Sequence, residues 1–108
     1  GAEHPHTLST MNNLATAFDK QQKYTAAEEL YREILDARRK VLGAANADTL
    51  STMRSLATTL DTLKKYDKAA EIYKQLWTTR VEEYGENHPR ALGLLNKYAD
   101  SIYGKVER

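Results

Sequence analysis

The chain has 108 residues and carries 16 Lys and Arg against 15 Asp and Glu, which gives a formal net charge of +1. This length allows one small domain, and the balanced charge argues against a dedicated nucleic-acid binder. The sequence contains no cysteine, which excludes a disulfide scaffold, thiol catalysis and cysteine-ligated metal sites. The absence of cysteine also fits a cytoplasmic protein, which we expect. The apolar runs are too short to span a membrane.

A repeat with a period of 42 residues organises the sequence. Residues 7–11 read Thr-Leu-Ser-Thr-Met and recur unchanged at 49–53. The same offset pairs Gly43 with Gly85, and a third copy begins at His88 and stops after its first half. Periods of this kind are typical of arrays in which each unit buries its apolar face against the next.

The repeat predicts a single domain at 1–108 with two complete units. The first unit covers 4–45 and the second covers 46–87. The remaining segment, 88–108, is the first helix of a third repeat or a capping helix.

Apolar residues at intervals of three and four predict two helices in each unit. In the first helix they are Leu8, Met11, Leu14, Ala15 and Phe18, and in the second Tyr24, Ala27, Leu30, Tyr31, Ile34, Leu35, Val41 and Leu42. The pattern returns in the second unit. We expect helices at 5–21, 24–42, 47–63, 66–84 and 89–104, with neighbours antiparallel because the connections are short.

Residues at the helix ends agree with these boundaries. Gly43 and Gly85 stand where a helix ends in a left-handed residue. Asn46 suits the N-cap of the third helix. Pro5 and Pro89 suit the first helical position, where no backbone donor is lost.

The last helix carries more apolar residues than one stripe needs. The residues expected to face inward are Leu92, Leu95, Ala99 and Ile102. Leu94, Tyr98 and Tyr103 then lie outside that stripe. They indicate either a missing helical partner or a surface that pairs with another chain.

The repeated segments of the two units resemble the tetratricopeptide repeat, in the 42-residue variety of kinesin light chains. Similar arrays occur in signalling proteins of the nucleotide-binding STAND type. The matching segments are 4–8, 11–15, 23–31 and 39–43, and the second unit keeps the same frame. The resemblance implies an all-α fold of antiparallel helix hairpins stacked as a right-handed solenoid.

The resemblance also implies a concave groove, lined by the first helix of each unit, that binds a peptide segment of a partner protein. The groove positions map to Ser9, Asn12, Thr16, Asp19 and Lys20, to Ser51, Arg54, Thr58, Asp61 and Thr62, and to Gly93, Asn96, Asp100 and Tyr103. These positions lie about 100° around each helix from the core stripe. Most of them are short and polar, as a surface facing a peptide backbone requires.

Three of the groove residues occupy the position at which the family often binds peptide backbone. Asn12 and Asn96 can offer a donor and an acceptor at once. Arg54 replaces Asn in the middle unit and allows a charge-assisted bond to a ligand carboxylate. The acidic groove residues are Asp19, Asp61 and Asp100, and this mixture of charges argues against a general preference for acidic peptides.

The turn within each hairpin departs from the family pattern. Gln22 and Lys64 stand where the family commonly has Gly. A left-handed conformation at these residues would cost ~1 kcal/mol each. The alternative is a different turn.

Several residues allow a second interpretation. His4 and His6 form a His-x-His pair but have no third ligand nearby in sequence, so no metal site is expected. The basic run at 38–40 is either an anion patch or a set of cations at a helix C-terminus, and the second explanation is favoured. Trp77 is either a partner anchor or a core residue, and core packing is favoured because it replaces Leu35.

No arrangement of residues supports catalysis or a cofactor. Serines lack a His–Asp pair that spacing could place beside them, and there is no glycine-rich phosphate loop. The sequence therefore predicts a non-enzymatic module that binds a partner peptide and neither nucleic acid nor membrane. The alternative is a structural module that self-associates through its terminal helix.

Overall fold

Five α-helices follow one another along the chain. The structure is a computed structural model and describes residues 4–107. The helices are α1 Pro5–Lys20, α2 Tyr24–Leu42, α3 Ala47–Thr62, α4 Tyr66–Tyr84 and α5 Pro89–Glu107. Every predicted helix is present, and only the C-terminal end of α5 differs from its predicted boundary by more than one residue. The all-α prediction is confirmed.

Each helix packs on the next in chain order, in a slab whose principal extents are 38 × 32 × 17 Å. The first helix of each unit also lies beside the first helix of its neighbour. Thr59 of α3 contacts Asp19 of α1, and Arg54 of α3 lines the same cavity as Gly93 of α5. The order therefore places α1, α3 and α5 side by side, and the solenoid predicted from the repeat is confirmed.

The middle helix, α3, buries two stripes of side chains. The predicted stripe, Leu50, Met53, Leu56, Ala57 and Leu60, is buried throughout. In the first unit, three residues predicted to face inward are instead exposed: Leu14 (49%), Val41 (47%) and Leu42 (38%). A second buried stripe of α3 consists of Thr49, Thr52 and Thr59, together with Leu56, which both stripes share. Thr52 accepts a hydrogen bond from Arg38 and Thr59 lies against Asp19, so the second stripe faces the preceding hairpin. A first helix in this array thus has one face for each neighbouring unit.

The predicted inward face of α5 is wrong. Leu92, Leu95 and Ile102 are 43%, 37% and 41% exposed, and Ala99 is only partly buried. The buried residues are instead Ala91, Leu94 and Ser101, with Tyr98 packed against the core. These are the counterparts of the second stripe of α3, and α4 covers them. In α1 and α3, the predicted stripe packs on the second helix of the same unit. The equivalent residues Leu92, Leu95 and Ile102 of α5 are exposed.

The connections confirm most of the local predictions. Asn46 caps α3, since its side-chain oxygen accepts from the Asp48 N–H at 2.9 Å. Gln22 and Lys64 both have a φ of 63°, so the hairpin turns use left-handed residues. Because both turns close with this strained conformation, each carries a local cost of ~1–2 kcal/mol.

The two helix-terminal glycines differ in detail from the prediction. Gly43 has φ 89° and ψ 162°, and Gly85 has φ 92° and ψ 161°. The positive φ agrees with the prediction of a left-handed residue. The prediction is wrong in ψ, because both glycines have an extended ψ and not the ψ of a left-handed helix. This region of backbone space is essentially restricted to glycine, which explains why both units keep Gly at this position.

Candidate functional site

The predicted groove residues lie on a third side of the first helices, outside both buried stripes. We call this surface the first-helix face. Ten of the fourteen predicted groove positions are its candidate binding residues: Ser9, Asn12, Thr16, Asp19, Ser51, Arg54, Thr58, Asp61, Asn96 and Asp100. None of them is fully buried. The exposed members are Ser9, Ser51, Arg54, Thr58, Asn96 and Asp100, and the others are half-buried. Because α1, α3 and α5 are neighbours, these side chains form one surface.

Two threonines of the first-helix face hold tyrosines of the second helices. The Thr16 hydroxyl donates to the Asn12 carbonyl at 3.0 Å and lies 3.2 Å from the Tyr31 hydroxyl. Thr58 repeats this arrangement, with its Oγ1 3.3 Å from the hydroxyl of Tyr73. A threonine has one hydroxyl hydrogen, so the tyrosine is the donor in each pair. These threonines therefore support the face from within each hairpin.

Burial raises the pKa of Tyr73 above its usual value. The negative charge of Asp61 also raises it, while the hydrogen bond with Thr58 and the positive charge of Arg54 act in the opposite direction. The Tyr73 hydroxyl therefore stays protonated at neutral pH and remains available as the donor to Thr58. The Thr58–Tyr73 contact is a fixed part of the face at physiological pH.

The acidic residues of the face differ in their surroundings. The Thr59 hydroxyl lies 3.2 Å from both carboxylate oxygens of Asp19. Asp61 is the counterpart of Asp19 in the next unit. Its Oδ1 and the Ser101 Oγ are both buried without a hydrogen-bond partner among residues 4–107. Asp100 is exposed. Asp19 therefore joins two hairpins and Asp100 is directed at solvent.

A basic cavity of about 490 Å3 lies between α3, α4 and α5. Its lining residues are Arg54, Arg80, Pro89, Arg90, Gly93, Leu94 and Lys97. Only Arg54 and Gly93 were predicted as groove positions. The other three cations, Arg80, Arg90 and Lys97, were not predicted to form a site because they are distant from Arg54 in sequence. A comparison of equivalent repeat positions could have indicated it, since Arg90 and Lys97 stand where the preceding unit has Asp48 and Ser55.

Arg38, the first residue of the basic run at 38–40, is not available as part of an anion patch. Arg38 is buried and donates to the Thr52 hydroxyl at 2.7 Å and to the Asp48 carbonyl at 3.3 Å. Arg39 donates to the Gln75 side chain at 3.2 Å. Both residues therefore join successive units.

The two remaining alternatives are also placed by the structure. Trp77 is partly buried and packs against the core, as favoured from the repeat. His4 serves as the N-cap of α1, where its Nδ1 accepts from the His6 N–H at 3.2 Å. No three His, Cys, Asp or Glu side chains in the described part of the chain are grouped as a metal site requires. None of the helices described here is long and apolar enough to cross a membrane.

Antiparallel helical hairpins that recur every 42 residues and shield one another define a helical-repeat protein of the solenoid class. The sequence model of the tetratricopeptide repeat matches residues 6–76, and the chain belongs to the tetratricopeptide repeat family. Tetratricopeptide repeats are generally protein–protein interaction modules, and members of the family are typically non-enzymatic scaffolds. No curated protein is a significant match to the sequence.

Solved structures with a similar fold include two of one fungal protein. One contains nearly identical TPR-like repeats of a Podospora anserina protein described as a kinesin light chain, at 20% identity and a TM-score of 0.87. It covers 99% of this chain, which spans 51% of that chain. The other is a single-substitution form of the same protein, with a TM-score of 0.86 at 20% identity, over 99% of this chain and 50% of that one. This likeness concerns the fold.

Proposed function

We propose that the chain is a protein–protein interaction module that binds a peptide segment of a partner along the first-helix face. The observation that carries the proposal is that α1, α3 and α5 each have accessible polar side chains at equivalent positions of the repeat. The first-helix face is supported by the contacts of Thr16 with Tyr31 and of Thr58 with Tyr73. A surface that is fixed before binding loses less conformational entropy when a ligand is ordered on it.

Asn12, Arg54 and Asn96 are the proposed ligand-binding residues. They occupy the same position in α1, α3 and α5, so a segment that crosses the three helices meets one of them at each helix. Asparagine can both donate to and accept from a peptide group, and arginine adds a charge-assisted bond. Ser9 and Ser51 are exposed beside them and supply secondary contacts.

The role of the remaining face residues is revised. The hydroxyl hydrogens of Thr16 and Thr58 are directed to backbone carbonyls, so these residues support the tyrosines. Asp19 and Asp61 are half-buried, whereas Asp100 is exposed and can accept from a ligand. The module acts without catalysis, because its only task is to hold a segment of another protein.

The test is selection of peptides on the immobilised chain, followed by affinity measurement with the variant Asn12→Ala/Arg54→Ala. We expect the double variant to lose at least ~10-fold in affinity while its helical content and melting temperature stay near those of the parent. The matched control is Lys74→Ala/Gln75→Ala, which likewise removes one cation and one side-chain amide, at exposed residues of α4. Unchanged affinity in the first double variant would show that peptides bind elsewhere.

A second candidate function is self-association through α5. The exposed stripe of Leu92, Leu95 and Ile102, with Tyr103 63% exposed, favours this alternative. Its occupant would be a second copy of the chain. Light scattering over a range of concentrations should then detect a dimer that Leu95→Asp disrupts. A chain that stays monomeric at high concentration contradicts self-association. Tyr98→Asp is unsuitable here, because Tyr98 packs against the core.

A further inference from the structure

The residues that line the basic cavity have counterparts between the first and second units, and the two sets differ in charge. The counterparts of its lining residues, 42 positions earlier, are Asn12, Arg38, Ala47, Asp48, Ser51, Thr52 and Ser55. In that set Arg38 and Asp48 cancel, so the formal charge is zero. In the cavity itself there are four cations and no lining carboxylate. The same structural position has therefore become strongly basic at the second interface.

The hydrogen-bond partners of Arg80 differ from those of its counterpart Arg38, and this difference makes the positive charge of Arg80 available. Its counterpart Arg38 donates to the Thr52 hydroxyl and to the Asp48 carbonyl. At the second interface Leu94 replaces that threonine, and the Leu94 side chain offers no acceptor. Arg80 instead pairs with Glu83 at 3.1 Å within its own helix. A solvent-accessible pair of this kind contributes little free energy, so an incoming anion can compete with Glu83.

Tyr84 holds two of the four cations in place. The Arg90 Nη1 donates to the Tyr84 hydroxyl at 3.0 Å, and the guanidinium groups of Arg90 and Arg80 lie 5.3 and 5.9 Å from the Tyr84 ring centroid. The Tyr84 ring also stacks on His88, with centroids 4.6 Å apart. The counterpart of Tyr84 is Leu42, which cannot do this. Two guanidinium groups are thus oriented before any ligand arrives.

We propose that this cavity binds the phosphate group of a phosphorylated side chain in the partner segment. The four cations minus Glu83 leave a net charge of +3 to be compensated. A phosphate monoester brings a charge of about −1.5 to −2 and three acceptor oxygens, whereas one carboxylate brings a single charge and two oxygens. Guanidinium groups match phosphate oxygens in bidentate geometry, and the cavity supplies three of them.

The position of the cavity connects it with the first-helix face. Arg54 belongs to both, and Gly93 and Lys97 lie on the same side of α5. Asp61 lies seven residues, or ~10 Å along α3, from Arg54. This distance separates the acidic end of the first-helix face, at Asp61, from its basic end, at Arg54. Asp100, one turn beyond Lys97, is not among the lining residues. The inference rests on the proposed function, since the phosphate is carried by the bound segment.

The experiment uses a small probe and therefore does not depend on a known partner. The 15N-labelled chain is titrated with N-acetyl-phosphoserine N-methylamide, with the glutamate analogue and with inorganic phosphate, at low and at moderate salt. We expect the phosphoserine probe to shift the amide signals of Gly93, Leu94 and Lys97. Its affinity should exceed that of the glutamate analogue by at least ~10-fold, and should fall as added salt screens the charges.

Two variants locate the site. Arg90→Asp and Lys97→Ser, which restore the residues of the first interface, should each weaken probe binding by at least ~5-fold. Lys68→Asp is the matched control, because it makes the same change in charge as Arg90→Asp about 18 Å along α4 from Arg80. Circular dichroism checks that each variant remains helical. Equal loss in the control would show that only general charge attraction is measured, and would overturn the proposal.

The other outcomes are equally decisive. Absence of probe binding, or equal binding of the glutamate analogue, overturns the assignment to phosphate. Inorganic phosphate that binds as tightly as the phosphoserine probe overturns the assignment to a partner side chain. Asn12→Ala should weaken peptide binding but leave probe binding unchanged. Failure of the probe while peptides still depend on Asn12 therefore refutes the phosphate site alone, and the reverse result refutes the first-helix face.

Discussion

Thr59 on α3 places its hydroxyl 3.2 Å from both carboxylate oxygens of Asp19 on α1, across forty residues of sequence. The contact joins the first helices of two successive units directly. Asp19 was predicted as a ligand residue, yet its carboxylate is engaged inside the array. The single hydroxyl hydrogen of Thr59 is shared with the Ser55 carbonyl at 2.9 Å, so the contact is modest in strength.

Replacement of Asp19 should therefore affect folding stability. We expect Asp19→Ala to lower the free energy of unfolding by ~1 kcal/mol, the usual net contribution of a hydrogen bond. Asp100→Ala removes the same side chain at an exposed position of α5 and should stay within ~0.5 kcal/mol of the parent. Urea denaturation followed by circular dichroism measures both. Equal effects would mean that the contact with Thr59 contributes nothing.

The fold was predictable because its signal is local and repeated. Residues at spacings of three and four define each helix, and Asn46 and Pro89 mark helix starts without reference to tertiary structure. The buried face of α5 was not predictable in the same way. Leu92 and Leu94 are both leucines on one helix, and only the presence of α4 on one side decides which of them is covered.

The site was predictable in part for a related reason. The first-helix face follows from the position of each residue within its repeat, which the sequence displays. The basic cavity combines Arg54, Arg80 and Lys97 from three different helices, so its charge becomes visible only when the helices are assembled. The internal role of Asp19 likewise depends on Thr59 of the neighbouring unit.

The orientation of α5 can be tested by truncation of single side chains. Leu94 is 5% exposed and Leu95 is 37% exposed. We expect Leu94→Ala to lower the free energy of unfolding by ~2–5 kcal/mol, the range for buried leucines. Leu95→Ala should cost less than ~1 kcal/mol, because its side chain already contacts water in the folded chain. Chemical denaturation in one series would settle the order, and a larger loss at Leu95 would contradict the packing of α5.

Acid should weaken the link between α2 and Lys65, the residue that precedes α4. The buried Glu28 carboxylate accepts from the Lys65 Nζ at 2.7 Å and from the Arg32 Nε at 3.0 Å. Burial alone would raise the pKa of Glu28, but the hydrogen bonds and charges of Lys65 and Arg32 outweigh it and hold the pKa below its ordinary value of 4.5. In the unfolded chain these partners are absent, so the carboxyl binds a proton more readily there.

The direction of the pH effect follows from this difference. A depressed folded-state pKa contributes stability that is present above 4.5 and is lost as the pH falls through the folded-state value. We expect the parent to lose stability in this range more steeply than Glu28→Gln, when unfolding by urea is followed from neutral pH down into the acid range. At neutral pH, Glu28→Gln should cost ~1–3 kcal/mol, as expected for hydrogen bonds to a charged group. Parallel profiles for the two chains would show that Glu28 does not carry the acid sensitivity.

The hairpin turns offer a stabilising substitution. Gln22 and Lys64 have a φ of 63°, a left-handed conformation that costs a residue with a side chain ~1–2 kcal/mol. Glycine removes this cost but gains conformational entropy in the unfolded chain, which offsets ~0.5–1 kcal/mol. We expect Gln22→Gly and Lys64→Gly each to raise the free energy of unfolding by ~0.5 kcal/mol. Gln21→Gly is the control: its φ is −84°, so glycine brings only the entropic loss and should destabilise. If all three substitutions destabilise equally, the left-handed turns carry no strain that glycine relieves.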